Sequence, residues 1–351
     1  MSSSLTARRH LLVLALLAAL TACGGKPAET AAPAAAAPQA ADAPNASLPA
    51  AVPQGWLHLA GADVPTSANL TPVLPVTVTS DDGEQVTVKD TSRIVAGGDD
   101  VIAVIEALGL GGQVYAAPLR SATEAGRKAP RQFLFNRTTG VEGVLSLEGT
   151  LFLGNSLRRH TELAKKLRGA GEAAVVIDDL QPAPDKVRKV AAALGVAAAG
   201  EALATQVQAQ LDEAARVAAA SKVHPRVMHL SATGAGGAPT VAGADSASGT
   251  LIALAGGVNI GTEAGVANYS ALSNEGVVAA APEVILVTEN DLQLFGGEAG
   301  LWKAYPTLKQ TPAGAANRVW VMPDVQLKAA SVGSGSGALA LAKALAALPS
   351  P

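Results

Sequence analysis

The stretch Val95–Asp99 (VAGGD) recurs with one change at Val241–Asp245 (VAGAD), and each copy leads into an apolar run. A second pair follows in the same order, because Glu142–Leu145 (EGVL) and Glu275–Val278 (EGVV) each precede an apolar, strand-like run. The copies lie roughly 130 to 150 residues apart, a period too long for a solenoid. We therefore expect the chain to fold as two similar lobes.

Short apolar strand patterns alternate with helical patterns in both halves of the chain. We expect strands at Arg93–Ala96, Gln113–Ala117 and Ala174–Ile177, a helix at Leu157–Gly169, and a long loop over Pro118–Pro130. This alternation favours an α/β fold with an open parallel sheet in each lobe, whose strand ends face a ligand crevice. Such an arrangement indicates a binding protein before any chemistry is considered.

The composition divides the folded part into three segments. Residues 76–180 form the N-terminal α/β lobe, residues 182–222 a linking helical segment, and residues 225–351 the C-terminal α/β lobe. The second part of the linker, Glu201–Ala220, is rich in Ala, Leu, Gln and Glu, and a helix of about 20 residues spans roughly 30 Å. The predicted architecture is two Rossmann-like lobes joined by one long helix, with the ligand crevice between them.

The N-terminus has the pattern of a targeting signal. Residues 1–22 combine a positive start at Arg8 and Arg9 with the apolar run Leu11–Leu20, and Cys23 follows. This resembles a lipoprotein signal peptide, after which Cys23 becomes lipidated. Cys23 is the only cysteine, which excludes an intrachain disulfide. Residues 23–53 are rich in Ala and Pro and predict a tether, so we expect a lipid-anchored protein on the extracytoplasmic side of the cell envelope.

Composition and missing motifs exclude several function classes. The formal net charge of the 351 residues is −3 and no basic cluster follows the signal, so a nucleic-acid partner is not expected. Phosphate-loop, Cys-x-x-Cys, zinc-protease and serine-hydrolase motifs are absent, which argues against an enzyme and against a catalytic cofactor. The glycine-rich run Gly333–Gly337 is interpreted as a flexible loop. His229 lies within an apolar strand and is interpreted as a core residue.

Several stretches resemble the hemin-binding substrate-binding proteins of ABC importers, within a wider class that also carries cobalamin and iron siderophores. They are residues 86–95, 142–147, 251–259, 269–275 and 281–288. The resemblance extends from about residue 76 to the C-terminus. It implies a monomer with two α/β lobes joined by one long helix, haem as the transported ligand, and an ABC permease dimer as the partner.

The resemblance also implies two docking residues. Members of this class present one glutamate on each lobe to arginines of the permease, and Glu142 and Glu275 match these positions. The alternative is that both are first-turn acids favoured by the helix dipole. Their recurrence at matching places favours docking.

The ligand site departs from the family pattern. The tyrosine that coordinates iron in hemin binders is missing from the stretch Ser121–Glu124, and Ala244 stands where an arginine is usual. Ferric haem needs an axial side-chain ligand, and Tyr269 or His160 is the candidate. The remaining ligand-binding candidates are Arg137, which could pair with a propionate, and Thr123 and Glu124 on the predicted crevice loop.

Two other functions stay open on the sequence alone. A cobalamin or iron-siderophore binder would need no iron-ligating side chain. A non-transport envelope lipoprotein derived from this family is the second alternative, because Gly24 after Cys23 resembles an outer-membrane sorting pattern.

Overall fold

Two sheets of mostly parallel strands, each flanked by helices, form the two lobes. The computed structural model describes residues 51–62, 64–68, 70–134, 140–234 and 237–349. The predicted signal peptide, Cys23 and almost all of the predicted tether lie outside these ranges, as does Arg137. None of the helices within them combines the length and apolar character needed to cross a membrane.

The elements are numbered in chain order. The strands are β1 Leu57–His58, β2 Val76–Thr79, β3 Gln85–Val88, β4 Ile94–Ala96, β5 Val114–Pro118, β6 Arg131–Phe133, β7 Leu151–Gly154, β8 Ala174–Val176, β9 Arg226–Ser231, β10 Thr240–Ala242, β11 Val258–Asn259, β12 Tyr269–Ser270, β13 Val284–Thr288 and β14 Val319–Met322. The helices are α1 Asp99–Ala107, α2 Glu124–Lys128, α3 Val141–Leu145, α4 Leu157–Gly169, α5 Ala183–Ala193, α6 Ala197–Ala220, α7 Ala247–Leu254, α8 Ile260–Glu263, α9 Asn274–Ala280, α10 Glu289–Phe295, α11 Gly297–Ala304, α12 Pro312–Ala315, α13 Asp324–Leu327 and α14 Gly333–Ala346. Short 3₁₀-helices span Gly111–Gln113 and Pro306–Gln310.

The N-terminal sheet has five parallel strands in the order β6-β5-β4-β7-β8. Its central strands are buried throughout, as expected for parallel strands covered by helices on both faces. The short hairpin of β2 and β3 packs beside this lobe, where Val86 and Val88 join its core. The described residues between 92 and 180 therefore form the doubly wound unit that the alternating pattern predicts.

The C-terminal sheet is mixed. Its order is β1-β14-β13-β9-β10-β12, with β11 also paired to β9, and β10 runs antiparallel to both β9 and β12. The expectation of a purely parallel sheet is therefore wrong for this lobe. Only one of the two sequence repeats marks equivalent structural elements in the two lobes. VAGAD starts in β10, which has no counterpart beside the central strand β4, whereas α3–β7 and α9–β13 occupy matching places next to β4 and β9.

The linking segment contains two helices. The chain turns between α5 and α6 at Gly195, whose φ of +71° suits glycine. Only α6, with 24 residues, serves both lobes: Leu203 and Val207 belong to the N-terminal core and Ala214 to the C-terminal core. The predicted fold of two α/β lobes joined by one long helix is confirmed.

The segment before β2 forms a second connection between the lobes, which the sequence pattern did not predict. Strand β1 pairs with β14 of the C-terminal sheet, and the Trp56 side chain enters that lobe's core. The chain then crosses to the N-terminal lobe, where the Ser67 amide donates to the Ala107 carbonyl at 2.8 Å. The described residues of this segment, 56–62, 64–68 and 70–74, thus contact both lobes, and we call them the strap.

Two segments predicted as loops contain helical residues. Gly333–Gly337 forms the start of α14 rather than a flexible loop, because the glycines let α14 approach its neighbours. A Cβ at Gly335 would lie 2.8 Å from the Val207 carbonyl oxygen of α6, and one at Gly337 would lie 2.1 Å from the Gln326 carbonyl oxygen. The Pro118–Pro130 loop likewise contains α2.

Candidate functional site

A cavity of about 700 Å³ opens between the two lobes. It lies at the carboxyl ends of strands from both sheets, where open α/β sheets bind ligands. The lining residues that follow these strand ends are Asp99 and Asp100 after β4, Asn155 and Ser156 after β7, Asp179 after β8, Asn290 and Asp291 after β13, and Asp324 after β14. Its volume is in the range typical of small-molecule sites.

The N-terminal wall is held by a buried ion pair. Lys186 Nζ lies 2.5 Å from Asp100 Oδ2, and both side chains are almost fully buried. The Asn155 side-chain amide donates to the second oxygen of Asp100 at 2.8 Å. Asp99 accepts hydrogen bonds from the Ser121 hydroxyl and the Ala122 amide, yet burial raises the pKa of its carboxyl above the usual value.

The C-terminal wall has its own charge network. Lys328 Nζ lies 2.8 Å from Asp291 Oδ2 and donates to Ser231 Oγ at 3.0 Å. Asp324 accepts hydrogen bonds from Thr288 Oγ1 at 2.7 Å and from the Asn290 amide at 3.0 Å. Burial raises the pKa of Asp324 to about 6, although Lys328 opposes this change.

Tyr269 lines the cavity from β12. Its hydroxyl lies 3.0 Å from Ser248 Oγ, and burial raises the pKa of the phenol. Behind it lies His229, with its ring edge-on to the tyrosine at a centroid distance of 6.1 Å. His229 is fully buried, and burial lowers its pKa to about 3.

His229 occupies the core as predicted, but its ring is not satisfied. Neither ring nitrogen has a hydrogen-bond partner in the described part of the chain, and Nε2 lies 3.8 Å from Asp291 Oδ2. A buried imidazole without hydrogen bonds carries a desolvation cost. Burial disfavours the charged imidazolium even more, and this makes the stability of the protein depend on pH.

His160 does not line the cavity. It is 1% exposed, its Nδ1 accepts a hydrogen bond from the Asn155 amide at 3.0 Å, and its ring packs edge-on against Phe152. Burial lowers its pKa to about 4. The ring therefore lies in the layer directly behind the cavity wall, and not on the wall where the sequence predicted it.

Thr123 and Glu124 also lie away from the cavity wall. Thr123 is buried and caps α2, since its Oγ1 accepts a hydrogen bond from the Gly126 amide at 3.1 Å. Glu124 is exposed and pairs with Lys128 one turn along the same helix. The predicted crevice loop therefore contains a short helix, with Thr123 as its cap and Glu124 as its first residue. Of the five predicted ligand residues, the structure brings only Tyr269 to the cavity, and Arg137 lies outside the described residues.

Most of the charged residues that line the cavity were not predicted from the sequence. Arg158 and Arg159 line the cavity from the first turn of α4, and Lys186 and Lys328 line it from opposite lobes. One signal was available: Asn155 ends the strand-like run that follows Glu142–Leu145, and two arginines follow in the first turn of the predicted helix Leu157–Gly169. Lysines 186 and 328 had no such signal, because their partners are distant in sequence.

A second chamber of about 420 Å³ adjoins the first. The two share lining at Asp179 and Leu180 on the N-terminal lobe and at Asp245, Ser246 and Ala247 on the C-terminal lobe, so two carboxylates lie where the chambers join. Its remaining lining is mainly apolar and includes Pro182, Leu211, Leu251 and Leu254. The space between the lobes therefore has a charged part and an apolar part.

The two predicted docking glutamates are exposed. Glu142 lies in the first turn of α3 and Glu275 in the first turn of α9, and these two helices occupy matching places in the two lobes. Among the described residues, no group of three or more His, Cys, Asp or Glu side chains converges in a way that could hold a metal ion.

A model of the periplasmic binding protein family matches residues 94–325. This span contains the central strands of both sheets, the helix that joins them and the cavity between them. The chain belongs to the periplasmic binding proteins. Membership implies an extracytoplasmic location and a binding role, and members that serve ABC importers deliver their ligand to a permease.

Solved structures of heme-binding members are similar to this periplasmic binding protein. The periplasmic heme-binding protein RhuT from Roseiflexus sp. RS-1 is 34% identical, with 73% of this chain and 98% of that chain covered and a TM-score of 0.64. The heme binding protein HmuT is 28% identical, with 84% and 97% covered and a TM-score of 0.69. The periplasmic heme binding protein HutB of Vibrio cholerae is 26% identical, with 73% and 97% covered and a TM-score of 0.57. No curated protein sequence matches the chain.

Proposed function

We propose that this periplasmic binding protein captures hemin between its lobes and delivers it to the permease of an ABC importer. The observation that carries the proposal is the cavity at the strand ends of both lobes, in a chain 34% identical to a heme-binding protein over 98% of that protein's length. The heme-binding relatives favour hemin over the cobalamin and siderophore alternatives.

The cavity offers hemin an axial ligand. Ferric haem takes His, Tyr, Cys or Met as protein ligands, and Tyr269 is the residue of these types on the cavity wall among the described residues. Its hydroxyl is held by Ser248, which fixes the direction of the oxygen. We therefore assign Tyr269 as the first candidate ligand. His160 is the second, since its ring would first have to leave the Asn155 amide.

The test is a spectroscopic titration of the full chain with hemin. We expect wild type to shift the Soret band, and Tyr269→Phe to lose the shift or change its position because the ligating oxygen is removed. Tyr305→Phe is the matched control: that phenol accepts a hydrogen bond from the Leu272 amide at 3.2 Å and does not line the cavity. An unchanged Tyr269→Phe spectrum would move the assignment to His160, which His160→Ala tests in the same way.

The same titration separates the alternatives. If the wild-type protein leaves the hemin spectrum unchanged but binds cobalamin or an iron siderophore, that compound replaces hemin as the proposed ligand. Wild type that binds none of the three would favour the non-transport envelope lipoprotein.

Lipid anchoring at Cys23 is part of the proposal. The support is the sequence pattern of residues 1–22 with a lone cysteine directly after it. Cys23→Ser should release the protein from membranes in cell fractionation, because the lipid is the proposed anchor. A variant that still sediments with membranes would contradict this part.

Docking through Glu142 and Glu275 is supported by their exposure at matching places in the two lobes. Exposed charges steer association with an oppositely charged partner. Reversing both glutamates to lysine should abolish hemin uptake in cells while the hemin dissociation constant stays unchanged. Reversal of Glu162 and Glu298, exposed on α4 and α11, gives the same change in net charge and should leave uptake intact.

A further inference from the structure

Arg158 and Arg159 stand on the cavity wall with exposed side chains. They are consecutive residues in the first turn of α4. In the described part of the chain neither has an ion-pair partner, whereas the other two cations of the wall are each paired with a carboxylate: Lys186 with Asp100 and Lys328 with Asp291. The two arginines are therefore the cations on this wall that are available to a ligand.

Their position is unfavourable for the helix itself. The N-terminus of a helix carries partial positive charge, so cations in the first turn cost free energy and acids are preferred there. The first turn of α4 has no acid, and Ser156 before it makes no side-chain capping hydrogen bond. Two adjacent arginines at this place need a different partner, and an anion in the cavity supplies one.

The carboxylates of the cavity wall do not cancel the positive charge of the two arginines. Asp100 and Asp291 are neutralised by their lysines, and burial raises the pKa of Asp99. Burial raises the pKa of Asp324 to about 6, so this carboxyl is charged at pH 7, but Lys328 of the same lobe attracts it. Asp179 and Asp245 lie on separate segments of the two lobes and line both chambers, and neither has an ion-pair partner in the described part of the chain. Positive charge is thus concentrated at one turn of α4, while the unpaired negative charge is divided between the lobes.

The adjoining chamber and the cavity edge present apolar side chains to the uncharged part of a ligand. Leu180 is 67% exposed and Leu294 is 47% exposed although both lie at the cavity, one on each lobe. Leu180 also lines the adjoining chamber together with Leu251 and Leu254. Burial of such side chains against a hydrocarbon surface is favourable. The combination suits a flat apolar molecule with carboxylates on one edge.

We propose that Arg158 and Arg159 bind the carboxylates of the ligand, and that the chamber lined by Leu180, Leu251 and Leu254 receives its hydrocarbon part. This inference rests on the proposed function, since hemin has this chemistry: a planar tetrapyrrole with two propionates. The planar guanidinium forms paired hydrogen bonds with a carboxylate, which fixes both position and orientation.

The test compares two ligands and three proteins. Hemin and its dimethyl ester, which lacks the carboxylates, are titrated into wild type, into Arg158→Gln/Arg159→Gln, and into Lys165→Gln/Lys166→Gln. The last pair removes the same charge from exposed positions of the same helix outside the cavity. We expect the arginine variant to bind hemin more weakly by about tenfold or more, because each lost bond involves a charged group. The lysine variant should match wild type.

The ester provides the decisive comparison. It should bind wild type and the arginine variant equally, since it offers the arginines no carboxylate. Unchanged hemin binding by the arginine variant, or an ester that loses affinity with the arginines as hemin does, would overturn the inference and leave the proposed function intact. Wild type that binds no hemin would overturn both. Loss of folding is checked by the thermal transition, which the arginine changes should not lower because they relieve the unfavourable interaction with the helix dipole.

Discussion

At the residue scale, His229 and His160 link stability to pH. Both imidazoles are buried, and burial holds their pKa values at about 3 and about 4. An unfolded histidine titrates near 6.5, so below that pH the unfolded chain binds protons that the folded protein does not. Stability is therefore lost as pH falls from about 6.5 towards 4, by up to about 1.4 kcal/mol per pH unit for each histidine.

His229→Phe isolates one of these contributions. Phenylalanine keeps the ring and cannot bind a proton, so the variant should lose about 2 kcal/mol less than wild type between pH 7 and pH 5 in urea unfolding. The raised pKa of Asp324 acts in the opposite sense in both proteins and cancels in this difference. His224→Gln, at an exposed histidine bonded to the Gly256 carbonyl, should follow wild type. Parallel pH profiles for His229→Phe and wild type would contradict the prediction.

Some residues of the candidate site could be identified from the sequence alone, and others could not. Tyr269 was identified because it lies in the stretch 269–275 that resembles hemin binders and because tyrosine can ligate ferric haem. Thr123 and Glu124 were misplaced because a cap and a short helix were interpreted as a loop. The Lys186–Asp100 pair joins residues 86 positions apart, and no local pattern contains it.

At the element scale, α14 depends on glycine for contact rather than for flexibility. In an isolated helix Gly→Ala is stabilising by roughly 1 kcal/mol. A Cβ at Gly337 would lie 2.1 Å from the Gln326 carbonyl oxygen, a backbone atom that cannot move aside alone. We therefore expect Gly337→Ala to destabilise the protein by about 1–3 kcal/mol in urea unfolding.

Gly169→Ala is the matched control for this change. Gly169 is the last residue of α4 and is exposed, and a Cβ added there would have no neighbouring atom within 4 Å. The control should be neutral or mildly stabilised. A gain in stability for Gly337→Ala would show that α14 is not held against α13 as described.

Elements with a strong local pattern were predictable, and those set by distant partners were not. The bounds of α4 match the predicted Leu157–Gly169, since its apolar face repeats at helical spacing. The glycine run of α14 is typical of a loop by composition, and packing against α6 overrides that preference. Strand β1 has only two residues and is defined by pairing with β14, more than 260 positions away.

At the scale of the whole molecule, the chain crosses between the lobes twice, at α6 and at the strap, and Val332 before α14 also packs in the N-terminal core. Leu211 of α6 packs against the cores of both lobes. The strap enters the C-terminal core at Trp56 and packs against the N-terminal core at Leu70 and Leu74. Opening of the lobes must bend both crossings, so closure on a ligand is expected to be a small movement about a stiff hinge.

The same two crossings predict that the lobes unfold together. Trp56, Trp302 and Trp320 are the three tryptophans of the chain, and all pack in the C-terminal lobe. Tryptophan fluorescence therefore reports that lobe alone, whereas far-UV circular dichroism also reports helices α1 to α5 of the other.

We expect the two signals to give coincident urea transitions, which is the test of a two-state process. Losing either lobe would expose the α6 side chains that its core buries and would detach the strap at one end. Cooperative unfolding is thus favoured even though each lobe has its own sheet. A circular dichroism transition that begins at lower urea than the fluorescence transition would mean that the N-terminal lobe unfolds first, and that α6 and the strap do not couple the lobes.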